Sequence, residues 1–309
     1  MTIASPRAVL IELRPAPGET LPPFAAGAHI DVRLEGLVRQ YSLLGSPRDR
    51  DRYLICIQDE PRGRGGSTRL LRELRVGATV TISAPRNTFA LDPSGASAVL
   101  IGAGIGLTPL LAMAEELFHS GLPFELHCYA HSASELPLRE HIAARPYAAH
   151  AAFHFSDQGD SARVSDPACL AAPTVSGRVY VCGPTGFIDH ILNRGAAAGW
   201  LDDQLRIERF QSQIPKIAAD DGSFVVCARS TGEEYEIPPD RTIAEVLADA
   251  GVPIVLSCEQ GICGACLTPV LAGTPDHRDE IQTDAEHAAN THVTICCSRS
   301  LTERLELDL

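Results

Sequence analysis

Long hydrophobic runs are missing from this chain of 309 residues. No stretch of about eighteen uninterrupted apolar residues occurs, so a membrane-spanning helix is not expected. The opening segment, Met1 to Arg7, lacks the basic-then-apolar layout of a secretory leader, so a cytoplasmic location is expected. Lysine is nearly missing too: its one occurrence is Lys216, and the formal charge of the whole chain is -13. From Gly222 to Leu309 there are fifteen Asp and Glu against five Arg and no Lys, which puts -10 on that segment alone. Such a surface argues against nucleic acid as a partner. It either keeps the protein soluble or steers it toward a basic docking face. Internal repeats and low-complexity tracts are also missing.

Ten cysteines are present without the regular spacing of a disulfide framework. Cys56, Cys128, Cys169, Cys182 and Cys227 are scattered singly, mostly in apolar runs, as small buried hydrophobes are. The other five crowd into residues 258–297. Cys258, Cys263 and Cys266 stand in a C-x4-C-x2-C spacing, the signature of a plant-type [2Fe-2S] site completed by a distant fourth cysteine. Gly261 and Gly264 give the intervening backbone the freedom to curl round a cluster. A zinc knuckle also uses four cysteines, but it usually pairs them as C-x2-C, and the first spacing here is four. Cys296 and Cys297 are both candidates for the fourth ligand. If Val293 to Cys296 leads into a strand, neighbouring side chains point to opposite faces and the two cannot both reach one cluster.

Along the chain the patterning changes twice. Up to about residue 95, short alternating runs (Ala8 to Ile11, His29 to Leu34, Tyr53 to Ile57, Val80 to Ile82) are broken by Pro and Gly, which predicts a small antiparallel β-barrel. From Ser97, apolar runs alternate with helical stretches: Ala98 to Ile101, then a helix from Leu110 to His119, then Phe124 to Tyr129 and Arg178 to Cys182. That alternation predicts an α/β domain with a parallel sheet. The periodicity lapses between Gln211 and Gly222, a stretch holding Pro215 and Lys216 that reads as a linker. Strand patterns return at Phe224 to Cys227 and Glu234 to Ile237. A helix follows, with Thr242 as N-cap, Glu245 as its capping-box partner and Gly251 at its stop. The expected domains are 1–95, 96–212 and 223–309, joined across 213–222.

Three short segments carry a family resemblance. Arg39-Gln40-Tyr41-Ser42-Leu43 resembles the R-x-Y-S motif of the ferredoxin-NADP reductase superfamily. There the Arg meets the flavin phosphate, the Tyr lies along the flavin and the Ser faces the ring near N5. A guanidinium and an aromatic face suit those tasks. Gly63-Arg64-Gly65-Gly66-Ser67-Thr68 resembles the second flavin motif, whose amides contact phosphate. Pro85-Arg86-Asn87-Thr88-Phe89 resembles the segment that closes the flavin domain in phthalate dioxygenase reductase-like proteins.

Gly102-Ala103-Gly104-Ile105-Gly106-Leu107-Thr108-Pro109 follows a strand and opens a helix, so its amides can face a pyrophosphate at the positive helix end. It is similar to the superfamily's nicotinamide motif, with one residue altered. Cys182-Gly183-Pro184 resembles the C-G-P turn facing the nicotinamide. From Phe224 onward the chain resembles plant-type ferredoxins, whose gap of twenty-nine residues after the third cysteine selects Cys296, as does the C-x-S-R ending at Cys296 to Arg299.

The order of domains resembles the phthalate dioxygenase reductase and vanillate demethylase reductase family. That resemblance implies a β-grasp ferredoxin domain of α+β class, FMN as the flavin, NADH as donor and a Rieske-type oxygenase as acceptor. The implied flavin contacts are Arg39, Tyr41, Ser42, Leu43, Gly65, Gly66 and Ser67. The implied nicotinamide contacts are Gly102, Gly104, Gly106, Thr108, Pro109, Cys182, Gly183 and Pro184, with Ser42 and Cys182 tuning the reacting contact. At the end of the second parallel strand, His131 and Ser132 stand without the acidic residue that would grip a ribose 2′-hydroxyl. The electron count is coherent, since a nicotinamide gives a pair, a [2Fe-2S] cluster accepts one, and a flavin handles both. The alternative is a free-standing diaphorase that reduces quinones, cytochromes or a second ferredoxin.

Overall fold

A computed structural model describes residues 1–34, 37–61, 65–162, 167–212 and 221–309. Gly63 and Arg64 of the glycine-rich turn, and Pro215 and Lys216 of the linker stretch, lie outside those residues. The chain forms two compact units, Met1–Phe210 and Gln211–Leu309.

The first unit opens with β1 (Thr2–Ser5), β2 (Ala8–Leu13), β3 (His29–Leu34), β4 (Leu37–Ser42), β5 (Tyr53–Gln58), α1 (Gly66–Glu73) and β6 (Thr81–Ile82). They make two antiparallel sheets, β1-β2-β5 and β4-β3-β6, and the Leu44 N–H donates to Leu54 O where the chain leaves β4 beside β5. The alternating pattern turns Ile30, Val32, Ile55 and Ile57 into a shared core with Leu43 and Leu70, as period-two patterning requires. The P-R-N-x-F segment then fastens this barrel. Arg86 grips buried Asp31 through two bonds of 2.8 and 3.0 Å, and Asn87 donates to Ala26 O at 2.9 Å. Phe89 packs edge-on against Tyr180.

The same unit continues with β7 (Ser97–Ala103), α2 (Leu107–Ser120), β8 (Phe124–Ala130), α3 (Arg139–Ala143), β9 (Ala151–Phe155), β10 (Gly177–Cys182), α4 (Thr185–Ala198) and β11 (Leu205–Glu208). These strands pair in parallel in the order β11-β10-β7-β8-β9. The order reverses between β7 and β10, and in parallel sheets ligands bind beyond the carboxyl ends of the strands at such a reversal. The helix expected from Leu110 begins at Leu107, so Thr108 and Pro109 are buried in its first turn.

The second unit comprises β12 (Phe224–Ala228), β13 (Glu233–Ile237), α5 (Ile243–Asp249), β14 (Leu267–Ala272), β15 (Pro275–Asp276), α6 (Asp284–Ala289), β16 (His292–Thr294), β17 (Arg299–Ser300) and β18 (Arg304–Leu307). Its main sheet runs β13-β12-β18-β14-β16. The capping box is formed as read: Glu245 N–H donates to Thr242 Oγ1 at 3.0 Å and Thr242 N–H to Glu245 Oε2 at 2.8 Å. The core under α5 gathers Phe224, Val226, Leu247, Val293 and Leu305 together with Cys266, Cys296 and Cys297. Arg299 is buried in this unit. Its guanidinium lies 5.1 Å above the Phe224 ring and donates to the carbonyls of Arg241, Gly222 and Pro238, so the arginine of the C-x-S-R ending is a structural staple.

One expectation fails here. The strand read through Val293 to Cys296 ends at Thr294, because the Thr294 carbonyl takes the Cys297 and Ser298 N–H groups at 3.3 and 3.0 Å. Ile295 to Cys297 therefore form a turn, and strand alternation cannot separate the two cysteines.

Candidate functional site

In the first unit, two flavin motifs distant in sequence meet at one place. Arg39 on β4 lays its guanidinium on Gly66 at the start of α1: a Cβ on Gly66 would sit 2.0 Å from Arg39 Nε and 2.4 Å from Cζ. Only glycine allows that approach. Gly65, in the left-handed region at φ 77°, turns the chain into α1, whose first amides receive no side-chain cap. One residue on, Ser67 Oγ lies 3.1 Å from Tyr41 Oη, and burial pushes the Tyr41 hydroxyl up to about 12. A guanidinium beside uncapped helix amides is a setting made for phosphate. Leu43 differs from its neighbours: its side chain is fully buried in the core and its N–H donates to Ala28 O.

A second group forms where β4, β10 and β11 end. Cys182 and Glu208 are register partners at the carboxyl ends of β10 and β11. Ser42, at the end of β4, stands beside the Glu208 carboxyl, close enough for its hydroxyl to bear on that group's titration. Burial raises that carboxyl to about 8, so it holds a proton at neutral pH, and its Oε2 is sealed from solvent without a hydrogen-bond partner. Burial, reinforced by Glu208, also keeps the Cys182 thiol well above its ordinary value. An orphaned carboxyl oxygen beside a neutral thiol and a hydroxyl is suited to a polar, uncharged ring edge. Glu208 was not among the residues singled out from sequence. Its signal was the alternating Leu205-Arg206-Ile207-Glu208 run at the last parallel strand.

The nicotinamide turn borders this group. Gly106 presses against the Cys182-Gly183 peptide so closely that a Cβ there would lie 2.5 Å from the Cys182 carbonyl. Thr108 spends its hydroxyl on Ile105 O at 2.9 Å. Gly102 pairs with Cys182 across β7 and β10, Gly183 packs against Ala103, and Pro184 caps α4. Gly104 faces open space. Further along the strand ends, His131 Nδ1 lies 3.1 Å from Ser156 Oγ.

In the second unit, Cys258, Cys263, Cys266 and Cys296 are all buried. The loop carrying the first three turns through the left-handed region at Glu259 (φ 54°), Gly261 (72°) and Gly264 (67°). Two of its amides point at sulfur: Gln260 N–H to Cys258 Sγ at 3.3 Å and Ala265 N–H to Cys263 Sγ at 3.5 Å. Cys258 neighbours Cys263, and Cys296 neighbours both Cys266 and Cys297, near enough that each thiol perturbs the titration of the next. Four converging thiols with N–H groups turned to sulfur fit an iron–sulfur cluster. Cys297 also touches Thr294 Oγ1 at 3.3 Å.

A flavin-type barrel, a parallel sheet with its turns at the reversal, and a three-cysteine loop with a fourth cysteine beside it define a modular oxidoreductase. Residues 228–301 match the family described as the 2Fe-2S iron-sulfur cluster binding domain. The chain is 43% identical over 310 residues to a vanillate O-demethylase oxidoreductase from Pseudomonas sp., covering 100% of this chain and 98% of that one. The solved phthalate dioxygenase reductase, described as modular for electron transfer from pyridine nucleotides to [2Fe-2S], superposes with a TM-score of 0.74 at 33% identity, covering 99% of this chain and 96% of that one. A self-sufficient cytochrome P450 monooxygenase matches with a TM-score of 0.87 at 34% identity, over 99% of this chain and 40% of that longer one. The chain belongs to the family of vanillate O-demethylase oxidoreductases and phthalate dioxygenase reductases, and is a flavin and iron–sulfur reductase dependent on a nicotinamide.

Proposed function

We propose that this protein carries electrons from NADH through FMN to a [2Fe-2S] cluster and on to a separate Rieske-type oxygenase or demethylase in the cytoplasm. In this reading residues 1–95 hold the flavin, 96–212 the nicotinamide and 223–309 the cluster, with 213–222 as linker. No helix among the described residues is long and apolar enough to cross a membrane.

The observation that carries the reading is the meeting of Ser42, Cys182 and Glu208 at the strand reversal. A flavin held there would supply the conversion between a two-electron donor and a one-electron acceptor. The chain's own residues do the positioning. Arg39, with the amides at Gly66 and Ser67, would anchor the flavin phosphate, and Tyr41 would border the flavin. The Ser42 hydroxyl and the protonated Glu208 carboxyl offer hydrogen bonds to a ring edge without adding charge. The neutral Cys182 thiol fills the wall on the nicotinamide side. Gly104 faces open space before α2, where a pyrophosphate would lie, while Gly102 and Gly106 let the turn pack closely on Leu107 and on the Cys182-Gly183 peptide. Cys258, Cys263, Cys266 and Cys296 would ligate the irons, the ferredoxin-like gap of twenty-nine residues after Cys266 selecting Cys296 over its neighbour. Absorption spectroscopy of the purified protein tests the scheme. Flavin bands together with thiolate-to-iron absorption are expected; a colourless protein overturns it.

A further inference from the structure

Beyond the cysteines, the second unit holds another cluster of metal-binding side chains. His277 and Asp279 follow β15, and His287 stands on α6. The Asp279 side chain is fully enclosed and accepts hydrogen bonds from Gln282 N–H at 2.9 Å and Thr294 Oγ1 at 3.0 Å. His277 Nε2 bonds to Asn290 Oδ1 at 3.1 Å, which turns Nδ1 inward. His277 Nδ1 then lies 4.0 Å from Asp279 Oδ1, and His287 Nε2 lies 3.3 Å from Oδ2. The two rings stack at 4.5 Å and 17°. His277 Nδ1 and His287 Nε2 are both sealed from solvent and have no hydrogen-bond partner. One ligand atom from each of the three residues can be chosen so that all lie within 4.8 Å of one another.

A histidine ion-paired with a buried carboxylate should be aligned at about 2.8 Å. Here the approach is longer and unaligned, and two buried nitrogens are left without partners. Metal–ligand bonds of about 2.0–2.1 Å in tetrahedral array separate neighbouring ligand atoms by about 3.3 Å, the spacing found between His287 and Asp279. Two imidazoles and one carboxylate suit zinc-class ions and not calcium or magnesium, which prefer all-oxygen sites. The hydrogen bond from Asn290 to the outer nitrogen of His277 is the kind of support that orients a ligand. The start of α6, and hence His287, is fixed by a capping box in which Thr283 N–H donates to Glu286 Oε2 at 2.7 Å.

We propose that His277, Asp279 and His287 form a second metal site, distinct from the cysteine ligands, that takes a divalent ion of the zinc class. Full-length holoprotein, treated with a chelator mild enough to leave the cluster's visible absorption unchanged, is titrated with Zn2+ against a chromophoric chelator. One zinc per chain is expected in addition to the irons. His287→Asn, at a side chain one-quarter exposed, should weaken zinc binding on the order of 100-fold with the visible spectrum intact, and Cys297→Ser should bind as the unmodified protein does. The proposal is overturned if no zinc binds, if His287→Asn binds as tightly as the parent, or if the loss follows Cys297→Ser instead.

Discussion

The two units build their sites by opposite routes. In the first, Arg39 meets Gly66 and Cys182 meets Glu208 across long gaps in sequence, brought together by strand ends and a helix start beside apolar cores. In the second, three of four cysteines sit within nine residues on a loop with little regular structure, bent through three left-handed residues. The first site is a product of topology; the second depends on what its thiols bind. Damage to a ligand in the second unit should therefore be severe, whereas damage in the first should weaken binding and leave the fold standing.

The largest expected effect tests that contrast directly. Cys296→Ser should abolish or severely destabilise the [2Fe-2S] absorption while NADH still bleaches the flavin; Cys297→Ser should leave both chromophores nearly intact. Iron content and visible spectra decide it. The reverse pattern would move the ligand to Cys297, and equal loss in both would give Cys297 a folding role in the turn that replaces the expected strand.

Arg39→Ala should cost roughly 1.5–3 kcal/mol of flavin binding, about ten- to a hundredfold in affinity, with the cluster untouched. Gly66→Ala should do similar harm by displacing the guanidinium. Flavin-to-iron stoichiometry after gel filtration measures both, and unchanged values would remove this cradle from the flavin site.

Glu208 sharpens the comparison through pH. Its carboxyl is raised from 4.5 to about 8, so between those values the folded protein keeps a proton that the unfolded chain has released. The stability it lends is full below about pH 4.5 and is lost as the pH rises through about 8. Glu208→Gln cannot ionise, so over that window its free energy of unfolding in urea should fall less than the parent's, by up to a few kcal/mol. Identical slopes would show that Glu208 is not buried as a neutral acid.

The smallest effect concerns the acidic second unit. If its charge of -10 steers a basic oxygenase face, partner reduction should slow as salt rises above ~0.1 M, and flavin reduction by NADH should respond less. A salt-independent partner rate would assign the charge to solubility.

Legibility from sequence followed the same division. The cysteine loop was readable because its ligands are local, and Thr242 with Glu245 was readable because a capping box spans four residues. Glu208 was missed because its meaning lies in pairing with Cys182 across two strands, a register that sequence does not display. The second box, Thr283 with Glu286, obeys the same rule and went unread, so the helix carrying His287 did too. The short β9 escaped because Ala151 to Phe155 is only five residues long and follows straight on from an alanine-rich stretch. Val293 to Cys296 looked like a lead into a strand because nothing in its composition announces that the Thr294 carbonyl captures the Cys297 and Ser298 amides.

The central claim is that electrons reach the cluster only through a flavin held by the first unit. Its most direct test is an anaerobic NADH titration of protein stripped of flavin but retaining its cluster, before and after FMN is restored. The account predicts that the cluster stays oxidised without flavin and is reduced once FMN is added. Reduction of the cluster by NADH in the flavin-free protein would contradict it.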